Sequence, residues 1–187
     1  MFRYLYDLAM NLYNDADEII PNLWLGNHRS ALDISFLQKN NINLIINCTQ
    51  NKSFINNKIA GLETYRIPVN DSLLEQDFIV MQKYFQIFIP LLLRKYTIEK
   101  KHILVHCHMG KQRSAIVVAA LLKVLLDYKY PYRYPYRYPY RYPYRSTDKK
   151  KQFDYICNYI VLKRPQAFTF GYRVNFKQTF YRYFNIY

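Results

Sequence analysis

Residues 103–126 constrain the fold more tightly than any other stretch of the chain. Ile103, Leu104 and Val105 form the most strand-like run present, and residues 115–126 are apolar nearly all round. A strand that must be buried therefore leads, across one short loop, into a helix that must also be buried. A sheet covered by helices satisfies both demands. The chain alternates in the same way elsewhere, which predicts an α/β fold with a mostly parallel central sheet flanked by helices.

The remaining elements follow from periodicity and caps. Ile19-Ile20 and Leu23-Trp24-Leu25 read as a short paired ribbon broken at Pro21-Asn22. Residues 30–39 read as a helix with Leu32, Phe36 and Leu37 on one face. Residues 44–48 and 64–67 read as strands, the second ending at Pro68. Asp77 is placed to cap a helix carrying Phe78, Met81, Phe85, Phe88 and Leu92, kinked or interrupted near Pro90. Thr147 or Asp148 can cap another, with Phe153, Ile156, Cys157, Ile160 and Val161 at helical spacing, and Phe176, Phe180 and Phe184 suggest a last helix.

A length of 187 residues suits one domain. The expected organisation is a single domain over residues 1–187 with a low-complexity insertion at about 128–145. There the unit Tyr-Pro-Tyr-Arg repeats four times, from Tyr130 to Arg145. A proline in every fourth position excludes a helix and removes a donor from any strand, so the segment reads as extended and solvated. Two readings stand for it: a tolerated surface expansion, or a basic aromatic strip for RNA or another polyanion, with tyrosines stacking on bases and arginines meeting phosphates. Residues 128–151 contribute +7 of the net charge of +14.

Apolar residues at 51% and charged residues at 21% exclude global disorder. No apolar run approaches the roughly 18–20 residues of a transmembrane segment, and the amino terminus lacks the pattern of a secretory signal. Three scattered cysteines, Cys48, Cys107 and Cys157, exclude a disulfide scaffold and fit a cytoplasmic or other reducing compartment. His28 and His102 have no zinc-ligand spacing, and neither metal nor cofactor is expected.

The loop between the buried strand and the buried helix reads His106-Cys107-His108-Met109-Gly110-Lys111-Gln112-Arg113-Ser114. A strand turning abruptly into a helix aims unpaired backbone N–H groups into one cavity, which suits a tetrahedral oxyanion. Gly110 permits the backbone angles of a tight loop. Cys107, at the positive end of the helix and close to cations, is expected to be a thiolate. Arg113, six residues on, can grip two phosphate oxygens with its fork. Cys107 as a mere buried packing residue would leave the glycine, the arginine and the hydroxyl of Ser114 as coincidences. A thiolate, a ring of N–H donors and a bidentate arginine describe phosphoryl transfer through a phosphocysteine.

At these residues the chain resembles the cysteine-dependent protein tyrosine phosphatase superfamily, with its His-Cys, five residues, then Arg and Ser or Thr. The resemblance is to its small dual-specificity branch, whose opening ribbon is similar to Ile19-Ile20-Pro21-Asn22-Leu23-Trp24-Leu25-Gly26. Residues 40–47 are similar to its next strand, and Arg164-Pro165 to the pair that ends its penultimate helix. The resemblance implies a phosphorylated protein substrate and an acid in the stretch Ile67-Pro68-Val69-Asn70-Asp71. That makes Asp71 the proton donor, 36 residues before Cys107, with Asp77 as the alternative. It also implies that His106 fixes the cysteine from beneath. Ser114 would then donate to the departing sulfur, while His108, Met109, Gly110, Lys111 and Gln112 line the binding loop. Met109 and Lys111 depart from the branch's small, neutral loop. A basic loop of that kind brings in RNA 5′-triphosphate ends and phosphoinositides as alternative substrates. An inactive phosphate-binding module is the non-enzymatic alternative. Cys48 reads as a buried structural thiol, with an oxidative pairing to Cys107 as the other possibility. Fifteen asparagines suit an AT-rich genome, and large DNA viruses encode such phosphatases, which would put the protein in a host cell or a virion.

Overall fold

The computed structural model describes residues 13–55, 59–72, 74–129, 148–168 and 175–187. The Tyr-Pro-Tyr-Arg repeat and Thr147 lie outside the described residues. In chain order the elements are β1 (Ala16–Ile20), β2 (Leu23–Gly26), α1 (Ile34–Lys39), β3 (Leu44–Asn47), β4 (Glu63–Arg66) and α2 (Glu75–Thr97). They continue with β5 (Ile103–His106), α3 (Arg113–Lys129), α4 (Lys149–Lys163) and α5 (Lys177–Tyr183). The sheet order is β1-β2-β5-β3-β4. β1 and β2 are antiparallel, whereas β2, β3, β4 and β5 run parallel, so the sheet is mixed but mostly parallel.

β3 and β5 are buried at every position, which explains why they read as unbroken apolar runs rather than alternating ones. Their alternate residues serve opposite faces. Leu44, Ile46, Ile103 and Val105 join the large core with α2, α3, α4 and α5, which is filled by Phe85, Phe153, Phe176 and Phe180. Ile45 and Leu104 point to a smaller cluster with Leu37 of α1, Ile42 and Trp24. The helices after the repeat thus share one core with the elements before it. α3 is the buried helix that its composition predicts, with Ala115 to Leu121 completely enclosed.

Three boundaries differ from the sequence reading. α1 starts at Ile34, because Asp33 accepts the amide of Phe36 as its cap, and Leu32 is left exposed. Asp77 is not the cap of α2. The helix begins at Glu75 after Leu74, and Asp77 lies buried in its first turn. Nor is α2 interrupted at Pro90, which sits inside the 23-residue helix. Asp148 caps α4, accepting the amides of Lys150 and Lys151, and Phe176 and Phe184 flank α5 at its ends.

Candidate active site

The loop joining β5 to α3 sits at the carboxyl edge of the central strands, where open parallel sheets bind ligands. Cys107 begins it, 3% exposed, with its sulfur inside. The amide of Gly110 and the hydroxyl of Ser114 each lie 3.2 Å from Sγ. Burial alone would raise the thiol's pKa. The charge of Arg113, the hydroxyl and amide of Ser114 and the amide of Lys111 outweigh it, and the net shift is downward. The sulfur of Cys107 is therefore surrounded by donors and a positive charge that favour its ionised form.

Arg113, the first residue of α3, is buried. One end of its guanidinium donates to the carbonyl of Val69 at 3.1 Å, and the other pairs with Asp71 at 3.2 Å. Its buried Nε has no hydrogen-bond partner among the described residues. Asp71 is half exposed on the loop after β4, so the carboxylate, the guanidinium and the sulfur occupy one site. Asp77 is engaged by a neighbour instead. Its Oδ2 accepts both the amide and the hydroxyl of Ser72, at 2.8 and 2.6 Å, and so anchors the residue that follows Asp71.

Gly110 has φ +67°, and a Cβ there would collide with the carbonyl of Gly26. Its own carbonyl accepts from Nε of Arg164 at 2.9 Å. Arg164 is 1% exposed and also reaches Met109, Asn14 and Asp17, the last as an ion pair at 2.6 Å. With the loop carbonyls turned toward Arg164, the amide of Gly110 is left facing the sulfur. This anchoring role escaped the sequence reading, which took Arg164 only as part of a resemblance. Its partners lie 54 to 150 residues away, beyond the reach of any local pattern.

The other loop residues divide. His106 is buried, and its Nδ1 lies 3.4 Å from the carbonyl of Cys107. Burial depresses its pKa to about 3, so the ring is neutral. His108 is exposed at the rim. Met109 and Lys111 line a shallow depression with Tyr13, Asn14, Asn27, Arg164 and Gln166. The carbonyl of Lys111 accepts from Phe168. Gln112 is buried rather than at the mouth, accepting the amide of Asn175 at 3.1 Å. Cys48 lies one residue beyond the Asn47–His106 register pair, and its amide donates to the carbonyl of His106 at 2.7 Å. All three cysteines are free thiols, and among the described residues no group of acids, histidines or cysteines could hold a metal ion.

Residues 23–133 match the family described as dual specificity phosphatase, catalytic domain, and the chain belongs to that family. It is 29% identical to human dual specificity protein phosphatase 13B over 116 residues, 59% of this chain and 57% of the relative. To dual specificity protein phosphatase 22 of Xenopus tropicalis it is 30% identical over 115 residues, 62% of this chain and 51% of the relative. The chain spans about half the length of these curated relatives. The solved fold of OH1 from the Orf virus, a tyrosine phosphatase described as having triple substrate specificity, is similar with a TM-score of 0.65. That likeness covers 91% of this chain and 86% of that one at 18% identity.

Proposed function

We propose that this protein hydrolyses phosphate monoesters on protein tyrosine and serine or threonine through a phosphocysteine. The observation that carries this reading is the convergence on one sulfur of two hydrogen-bond donors at 3.2 Å, with Arg113 and Asp71 paired beside it.

In the first step the thiolate of Cys107 attacks phosphorus and the ester P–O bond breaks. Arg113 holds two of the phosphoryl oxygens, with its unpartnered Nε as one donor. Asp71, protonated, gives its proton to the departing oxygen, so the alcohol leaves neutral. In the second step the carboxylate of Asp71 takes a proton from water as that water attacks phosphorus. The S–P bond breaks, inorganic phosphate forms and the electron pair returns to sulfur. The Ser114 hydroxyl stabilises the returning thiolate, and Arg164 keeps the loop amides turned inward. Every atom exchanged belongs to substrate, water, Cys107 or Asp71.

The substrate is tested by one panel compared by kcat/KM: phosphotyrosine and phosphothreonine peptides, phosphoinositides and 5′-triphosphate RNA. Highest turnover on the two peptides, with a phosphorylated Cys107 trapped by rapid acid quench, is the expected result. Highest turnover on RNA ends or lipids would replace the protein substrate. Phosphate binding without turnover of anything would make the chain a binding module.

A further inference from the structure

Four consecutive carbonyls of the loop after Cys107, those of residues 108–111, are each taken by a donor from outside the loop. The amide of His28 donates to His108 at 3.2 Å and that of Phe168 to Lys111 at 2.8 Å. Between them, the guanidinium of Arg164 donates to Met109 at 3.5 Å and to Gly110 at 2.9 Å. A planar trans peptide that points its carbonyl one way points the N–H of the next residue the other way. The two peptides held by Arg164 are thus the ones that present the amides of Gly110 and Lys111, and both of these amides reach the sulfur of Cys107. What fixes Arg164 and His28 therefore fixes the donors around the nucleophile.

One short segment, Asn14 to Asp17, leads into β1 and holds both. Asp17 Oδ2 pairs with Nη1 of Arg164 at 2.6 Å, with side-chain exposures of 13% and 1%. The carbonyl of Asn14 accepts from the same nitrogen at 3.1 Å, and from Nε2 of Gln166 at 3.1 Å, two residues before Phe168. On the other flank Asp15 accepts twice from the buried Asn27, the residue before His28. The amide of Asn27 donates to its carbonyl at 2.9 Å, and Nδ2 donates to Oδ1 at 2.5 Å. Asn14 Nδ2 donates to Asp17 Oδ1 at 2.8 Å and ties the segment to itself. Two carboxylates two residues apart thus reach the same loop by two separate routes.

We propose that Asp17 and Asp15 are positioning residues for the reaction. The acidic segment at the start of β1 clamps the loop of Cys107 from two flanks, Asp17 through Arg164 and Asp15 through Asn27 and His28. The proposal deepens the reading of the site as a phosphatase and rests on it. Asp17 is the stronger arm, because Arg164 governs the two amides on the sulfur, whereas Asp15 acts on the peptide that follows His108. The charge and the grip of Asp17 act on Cys107 with opposite signs. A negative charge nearby disfavours a thiolate, while a grip that keeps two N–H groups on the sulfur favours one. The direction in which the thiol moves when Asp17 is removed therefore tells the two apart.

The test is the pH profile of Cys107 alkylation in the full chain, measured beside kcat on p-nitrophenyl phosphate. Asp17→Ala should move the profile up by about one pH unit, the value of one hydrogen bond to a charged group, and lower kcat by about 10²-fold. Asp17→Asn keeps an acceptor for Nη1 of Arg164, so it should bring the profile back and recover part of the rate. Asp15→Ala should shift the profile in the same direction by less. It leaves the buried arginine paired, and it carries the test if circular dichroism shows that Asp17→Ala does not fold. A folded Asp17→Ala whose profile stays in place or moves to lower pH would reduce Asp17 to a charge and overturn the clamp. An unchanged profile in Asp15→Ala would overturn the second arm. Alkylation needs no turnover, so a failure of the unaltered chain to hydrolyse any phosphate ester would sink the phosphatase reading while the profile still decides the clamp.

Discussion

Asp71 and Arg113 are ion-paired at 3.2 Å, although one follows β4 and the other opens α3. The arginine that would grip phosphate therefore holds the carboxyl that would protonate the leaving group. Asp71→Asn keeps the size of the side chain and loses the proton. Hydrolysis of alkyl phosphates should fall by about 10²- to 10⁴-fold. The loss should shrink for aryl phosphates with good leaving groups, and a leaving-group series in kcat/KM reads this directly. An equal loss across that series would remove Asp71 from the acid's role.

Asp77 acts one residue further along, through Ser72. Asp77→Ala removes the buried carboxylate that accepts the amide and hydroxyl of the exposed Ser72, and losing hydrogen bonds to a charged group costs about 1.5–3 kcal/mol. Urea unfolding should report that loss. If activity fell as far as in Asp71→Asn with stability unchanged, the roles of the two acids would have to be exchanged.

Cys107→Ser should abolish turnover of an aryl phosphate while leaving binding of inorganic phosphate in place, since a hydroxyl is no thiolate but the loop donors remain. Isothermal titration and a rate assay on the same preparation separate the two. Residual turnover above background would rule out Cys107 as the nucleophile.

Arg164→Lys keeps a charge for Asp17 but has no fork to span Gly110, Met109 and Asn14. A loop amide that drifts by an ångström costs about 10²-fold in rate, so kcat should drop while the fold persists. The pH dependence of alkylation isolates the cause. A less well solvated thiolate at Cys107 shifts the alkylation profile to higher pH, whereas damage remote from the loop would leave the profile where it is.

Glu63 lies between Lys95 and Lys101, at 2.6 Å from each. Hydrogen bonds from Lys101 and Lys95 depress its pKa from 4.5 to about 2. A depressed carboxylate contributes stability above its unfolded pKa and loses it as the pH falls toward the folded value. Glu63→Gln should therefore lower Tm at neutral pH, and the difference from the unaltered chain should close between about pH 4.5 and 2. A constant difference across that range would refute the linkage.

Most of the sheet and the strand–loop–helix junction that carries Cys107 were legible because they are local. β3 and β5 are short apolar runs, and the residues from Cys107 to Ser114 carry their chemistry at fixed spacing along one segment. What escaped depended on contacts across the chain. Asp77 looks like a cap until the position of Ser72 is known, and Pro90 looks like a break until a helix forms around it. Arg164 is an ordinary basic residue in sequence, and only folding brings it onto the loop that it holds.

The three thiols of this chain are buried alike and yet set far apart in acidity. Burial pushes Cys48 and Cys157 well up, and the electrostatics of its loop pull Cys107 down. A mild electrophile should therefore react with Cys107 ahead of the other two thiols. That selectivity would give the molecule one chemical handle, at which a fluorophore, a spin label or a cross-linker could be installed without removing the other cysteines. A mass increase of one adduct, lost on pre-incubation with phosphate, would turn the acidity difference into a direct count of competent sites in any preparation.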